Sequence, residues 1–187
     1  ANGSLSLKYP GKQIEEVMRT DICNLGRLYR YFTLLLGMKP GEHEFKLMGL
    51  APYANEFIGA AAYEVVAETL QVEGLEFTYK TQPADHFWYF KERLQTERFD
   101  GIAYAIQRRL EELIGQWVGN AVKEFGIGDV VLSGGVSMNV KANQRLMEME
   151  GIDSLWVPPG AGDESISAGA ACQFLMQREV DAVTPLA

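Results

Sequence analysis

Between Gly101 and Phe125 the positions Ile102, Ile106, Leu110, Leu113, Ile114, Trp117, Val118, Ala121 and Phe125 recur at the helical period, which predicts one amphipathic helix of about seven turns. Its apolar stripe has to face a core, and the rest of the chain has to supply it. With 187 residues, 47% of them hydrophobic and 22% charged, the chain is long enough to bury that core as one domain. No internal repeat, low-complexity tract or linker divides it.

Before the long helix, residues 4–9 (SLSLKY) alternate like a short strand that Pro10-Gly11 ends. Asp21 is placed to cap a helix in which Leu25, Leu28, Tyr29, Phe32, Leu35 and Leu36 recur, and Gly37 with Pro40-Gly41 stops it. The stretch EHEFKLMGLAPYA sets charge beside Gly49 and Pro52, a second helix runs from about Glu56 to Leu70, residues 75–80 alternate like a strand, and 81–98 read as an irregular aromatic connection.

After the long helix, DVVLSGG is a buried-strand signal that runs into a glycine turn; a helix over 137–149, a strand at LWVP and the loop PPGAGDE follow. A last helix has Ile166, Ala170, Phe174 and Leu175 on its expected inner side. Strand, glycine turn, helix, strand, glycine loop and helix make an α/β unit. A strand that reverses into a helix needs a residue tolerant of positive φ, and a ligand approaching the backbone needs a position without a Cβ; Gly134 and Gly135 supply both. The same pair also serves a tight turn under Val136 with no ligand at all. In the second loop Pro159, Gly160 and Gly162 shape an exposed bend, and Asp163 is either the N-cap of the last helix, with Ser165 and Ser167 in its first turns, or a carboxylate held at the mouth of a cleft to ligate a cation. Glycine loops at the carboxyl ends of two neighbouring strands lie where ligands bind in α/β folds, so the two bends are expected to share one site.

The net charge of −8 opposes polymeric nucleic acid as a partner, since no Lys/Arg run gathers the basic residues on one face. Cys23 and Cys172 are too few for a secreted disulfide scaffold, and no apolar run reaches roughly 18 residues. A soluble, cytoplasmic protein with no membrane partner is the expectation.

The segments LSGGVSMNVKANQRL, LWVPPGAGDESISAGAA and LGRLYRYFTLLLGMKPGEHEFKLMGLAPYA, in that arrangement across most of residues 20–172, resemble the carbamoyltransferases of the nodulation-protein and cephalosporin-tailoring (NodU/CmcH) type. The resemblance implies an α/β fold: a ribonuclease-H-like subdomain of the actin, sugar-kinase and Hsp70 superfamily, a mixed sheet flanked by helices. It also implies that residues 1–187 are one domain and a fragment, the second subdomain, without its partner subdomain or the carbamoyl-phosphate domain, and with little activity alone. The implied reaction is ATP-dependent O-carbamoyl transfer from a carbamoyl-adenylate to a hydroxyl. Carbamoyl phosphate and ATP serve the full-length protein, and a small molecule or saccharide is the acceptor.

By the same resemblance Ser133, Gly134, Gly135, Val136 and Asn139 face the nucleotide, with Gly162 in the neighbouring loop. Asp163 matches an acidic ligand of a divalent metal ion, iron in the family. Glu44, Lys46 and Gly49 match a charged motif before MGLAPY, where Lys46 meets a phosphate or forms a salt bridge with Glu42 or Glu44. The family's paired histidines have no counterpart: His43 reads as a solvated loop residue and His86 as packing or surface. Apolar surface left where a partner subdomain packs would make a homo-oligomer of the isolated piece. A non-catalytic nucleotide-binding or scaffold domain, and a sugar-kinase-like ATP-binding domain, are the competing readings.

Overall fold

A computed structural model of the chain describes residues 3–178. Its elements in order are β1 (Gly3–Leu7), β2 (Glu15–Thr20), α1 (Leu25–Leu35), α2 (Glu44–Leu50), a 3-10 turn (Ala51–Tyr53), α3 (Glu56–Ala67), β3 (Leu70–Glu73), β4 (Glu76–Tyr79), α4 (His86–Leu94), α5 (Phe99–Phe125), β5 (Asp129–Val131), a second 3-10 turn (Gly135–Met138), α6 (Val140–Met147), β6 (Ser154–Trp156) and α7 (Ser165–Gln177).

The expected long helix is α5, and the other elements are layered on it. Its stripe of Ile102, Ile106, Leu110, Leu113, Ile114 and Val118 is buried with Leu28 and Phe32 of α1, Leu47 of α2, Val66 of α3, and Phe90 and Leu94 of α4 in one core. Phe32 and Phe90 meet at a tilt with ring centroids 4.7 Å apart, an arrangement aromatic quadrupoles favour. Helix α3 approaches α5 closely because neither contact point carries a Cβ. A methyl on Gly101 would sit 2.9 Å from the carbonyl oxygen of Ile58, and one on Gly59 would strike the Tyr104 ring.

The β3-β4 hairpin hangs on the same helix through polar contacts. Arg109 Nη2 donates to Leu70 O at 2.7 Å, Trp117 Nε1 to Leu75 O at 2.8 Å and Asn120 Nδ2 to Gly74 O at 2.7 Å. Side chains of α5 thereby satisfy carbonyls that the hairpin leaves at its edge and turn.

The mixture of helices and strands is as expected; the extended mixed sheet is not seen among the described residues, which form three separate two-stranded sheets. Two pairs are antiparallel, β1 with β2 and β3 with β4, while β5 and β6 pair in parallel with Val130 opposite Leu155. Strand β2 falls where no strand was expected, because it is largely solvent-exposed and shows no apolar alternation. The connection 81–98 is largely α4, capped by Asp85, whose carboxylate accepts from Trp88 N at 3.0 Å. The second helix ends at Ala67, and Leu70 opens β3.

Three expected helix starts move. Asp21 does not cap α1, which follows Asn24. The helix expected over 137–149 begins at Val140, behind the 3-10 turn, with Asn139 as its side-chain cap. Glu164, in helical conformation and without a side-chain cap bond, precedes α7 where Asp163 was one reading of the cap. The inner side expected of that last helix is not seen among the described residues either: α7 has no buried residue there, and Ile166 and Phe174 are 70% and 51% exposed.

The cap of α3 offers a measure of local energetics. Asn55 Oδ1 accepts from Ile58 N at 3.0 Å, and Asn55→Ala is expected to lower stability by about 1 kcal/mol, seen as a fall in Tm of about 2–4 °C for a chain of this size in a thermal melt followed by circular dichroism.

Candidate functional site

Because β5 and β6 are parallel and adjacent, the chain leaves both at the same end. Leu132 N donates to Trp156 O at 3.0 Å, and beyond the strands Gly134 N donates to Ala161 O at 2.8 Å. The second bond ties the two glycine bends into one wall. Gly134 has φ +101°, a conformation that side-chain-bearing residues adopt only with strain. Its carbonyl accepts both the backbone N–H of Ser137 at 2.9 Å and the Ser137 hydroxyl at 2.7 Å, which closes the 3-10 turn. Gly135 differs in lying outside the left-handed region; a Cβ built on either glycine would meet no atom within 4 Å.

Gly135 lines a cleft of about 620 Å³. Gly26, Tyr29 and Arg30 of α1 form one side, Glu42, Glu44, Phe45 and Met48 a second, and Gly135, Val136, Met138, Asn139, Gly162 and Asp163 a third. Of the sequence candidates, the cleft brings together Glu44, Gly135, Val136, Asn139, Gly162 and Asp163. Gly134 is exposed and outside the cleft lining, and ties the two bends through its bond to Ala161 O. Ser133 is exposed and outside the cleft lining. Lys46 is also outside; it is exposed and its ammonium sits 5.8 Å from the centroid of the Phe45 ring. The expected salt bridge to Glu42 or Glu44 is not the arrangement found, since Glu42 pairs with Lys39 and Glu44 Oε1 accepts from Gly41 N at 2.6 Å.

Beneath the wall runs a polar chain. Gln107 of α5, only 5% exposed, accepts at Oε1 from the Tyr29 hydroxyl at 2.7 Å and from Asn139 Nδ2 at 2.9 Å. Its Nε2 donates to Asn139 Oδ1 at 3.0 Å and to Glu111 Oε1 at 2.6 Å. Asn139 Oδ1 also accepts from Ala142 N at 3.0 Å. Burial pushes the Tyr29 phenol well above the ordinary tyrosine range, partly opposed by the neighbouring Asn139 amide, so the hydroxyl stays protonated and keeps donating. Gln107 was not among the sequence candidates, although a glutamine on the apolar stripe between Ile106 and Leu110 was a usable signal: a buried amide requires partners.

The ionisable groups lining the cleft are Arg30 against Glu42, Glu44 and Asp163, so its field does not by itself attract an anion. Glu164, rather than Asp163, lies against the second loop, with its carboxylate next to Gly160 and Gly162. Among the described residues no group of three or more His, Cys, Asp or Glu side chains is placed to hold a metal ion. Asp163 alone does not make a coordination set. Of the two histidines, His86 stacks on Tyr31 with centroids 5.9 Å apart and its buried Nε2 has no hydrogen-bond partner; burial lowers its pKa. His43 accepts at Nδ1 from Lys39 N at 3.1 Å. Neither points to a ligand site. No described helix is long and apolar enough to cross a membrane.

Residues 4–172 match the family described as carbamoyltransferase N-terminus. An uncharacterised protein of Synechocystis sp. is 32% identical over 163 residues, covering 79% of this chain and 26% of that protein. An uncharacterised protein of Methanocaldococcus jannaschii is 27% identical over 190 residues, 91% of this chain and 33% of that protein. Nodulation protein U of Sinorhizobium fredii is 36% identical over 66 residues, 34% of this chain and 12% of that protein. The chain thus spans a quarter to a third of the length of the first two relatives.

Proposed function

The chain belongs to the carbamoyltransferase N-terminus family, and on that premise we propose that it forms one wall of the nucleotide site of an ATP-dependent O-carbamoyltransferase. The observation that carries this reading is the joined pair of bends, Gly134 N to Ala161 O, with Gly135, where a Cβ would meet nothing within 4 Å, in the lining of the cleft. A backbone wall of this kind lets a nucleotide approach closely without side-chain interference. We read the β5-α6-β6 unit with its glycine loops as part of a ribonuclease-H-like subdomain of the actin and sugar-kinase superfamily, an assignment that rests on the resemblance in sequence.

In the proposed reaction the substrate hydroxyl oxygen attacks the carbamoyl carbon of a carbamoyl-adenylate, the bond to the AMP phosphate oxygen breaks, AMP leaves with that electron pair, and the hydroxyl proton goes to solvent or a base outside the described residues. The part of this chain is binding and orientation. Val136 and Met138 offer apolar surface to a base or ribose, and Arg30 supplies the cation of the cleft. Glu44 is tied back to Gly41, which holds the α2 side of the cleft in place.

The charge balance makes the test directional. In metal-free buffer Asp163→Asn removes a like charge from beside an anionic guest and is expected to tighten AMP binding about threefold, the size of an exposed charge interaction. Isothermal titration with AMP reads this directly. The proposal fails if AMP gives neither heat nor changes in the amide resonances of residues 133–139 at saturating concentration.

A further inference from the structure

On the other side of the Gln107 chain lies a second cleft, of about 320 Å³, between α5, α6 and the turn after α2. Met48 borders both clefts. The balance of charge is opposite here. Arg108, Lys141 and Arg145 line it against the single carboxylate of Glu111, in a chain whose net charge is −8. We infer that this second cleft is a binding site for a phosphoryl dianion, free or carried on an organic group.

The three cations are not equivalent. Arg108 is already paired with two carboxylates: its Nε donates to Glu112 Oε1 at 3.0 Å and its Nη1 to Glu56 Oε1 at 2.9 Å, and these bonds raise its pKa further above the usual guanidinium range. Its place is structural. Among the described residues Lys141 Nζ has only the neutral Gln144 Oε1 at 3.4 Å. Arg145 Nη1 lies 3.8 Å from Glu111 Oε2, the outer limit of an ion pair, while the other oxygen of Glu111 takes Gln107 Nε2. Lys141 and Arg145 therefore keep donors for an acceptor from outside.

Their mutual placement is fixed by the helix they share. Lys141 and Arg145 are four residues apart on α6 and so stand on one face. Asn139 caps that helix and the buried Ala142 and Leu146 seat it, so the two cations are held in register without a ligand. Lys141 is in the first turn, where the helix dipole adds positive potential. An ammonium and a guanidinium side by side match a dianion with several acceptor oxygens better than a single carboxylate. Tyr104 and Pro52 form the opposite wall, giving an apolar side to whatever carries the phosphoryl group. This site stands whether or not the first cleft takes a nucleotide, because neither cation belongs to that cleft.

The test is a titration of the isotope-labelled 187-residue chain with sodium phosphate and, separately, with AMP, against sodium chloride of equal ionic strength, followed by amide resonances. Saturable shifts over residues 140–147 with phosphate alone identify a free phosphate site; shifts with both identify a site that also takes phosphomonoesters. Lys141→Gln with Arg145→Gln, both at exposed positions, is expected to weaken the apparent affinity about tenfold, and Lys91→Gln on α4 is expected to leave it unchanged. The same spectra show that each variant is folded. The inference is overturned if neither anion gives saturable shifts on α6, if the double variant binds as the original does, or if Lys91→Gln weakens binding to the same extent.

Discussion

Gly135→Val is expected to remove AMP binding from the 187-residue chain while leaving its Tm within about 2 °C of the original. The two halves of that result come from two observations: a Cβ at Gly135 meets nothing within 4 Å, so no neighbour inside the protein is displaced, and Gly135 lines the cleft, so the isopropyl group stands at its wall. The backbone is outside the left-handed region, so the substitution adds little strain, and restriction of the unfolded chain offsets part of it. Displacing a guest by the width of a side chain forfeits its backbone contacts together, and about 3 kcal/mol lost makes a weak ligand undetectable, more than a hundredfold in Kd. Gly134→Val serves as the contrast. With φ at +101° it is expected to cost roughly 1–3 kcal/mol of stability, so a melt separates the two glycines even where both variants fail to bind. If Gly135→Val binds AMP as well as the original, the guest does not approach this backbone and the proposed site is wrong.

The difference between those two glycines was invisible in the sequence, where both looked equally suited to both tasks. What could be read was that two glycine bends follow two strands; parallel pairing of Val130 with Leu155 then makes their adjacency a geometric necessity. The α5 stripe was legible for a similar reason, since a pattern repeated over many turns leaves one face to bury. Short elements gave no such signal. Strand β2 has one face fully exposed and the other at most half-buried, at Met18 and Thr20, so alternation has little to enforce it. Helix α2 begins at Glu44, which suits a helix N-terminus, but contains Gly49, which as a residue type argues against a helix, and the packing of Leu47 into the core outweighs it. Helix α7 misled in the other direction: its apolar residues read as an inner face, yet among the described residues nothing buries them.

The polar floor of the first cleft was hidden because its members lie far apart in sequence, with Tyr29 and Gln107 separated by 78 positions. Their interdependence is also what gives Gln107→Leu its expected effect, a loss of about 3 kcal/mol. Leucine fills similar space but leaves the Tyr29 hydroxyl, the Asn139 amide and one oxygen of Glu111 without the partners they have now, and each buried polar group left unsatisfied costs roughly 1–3 kcal/mol, less what water at the cleft recovers. For a chain of this size about 3 kcal/mol corresponds to a fall in Tm of about 6–12 °C, measurable by calorimetry or urea unfolding. Gln107→Glu sharpens the argument because it keeps the shape and removes the donor. It places a second carboxylate where an amide now donates to Glu111 at 2.6 Å, so the pair favours holding a proton and its folded-state pKa rises above the unfolded value. The folded state then binds more protons than the unfolded one, and stability falls as pH rises through that raised pKa. Gln107→Glu is therefore expected to lie closer to the original protein at pH 5 than at pH 8. A deficit that is the same at both pH values, or a Gln107→Leu variant within about 0.5 kcal/mol of the original, would show that the amide is not the junction of this network.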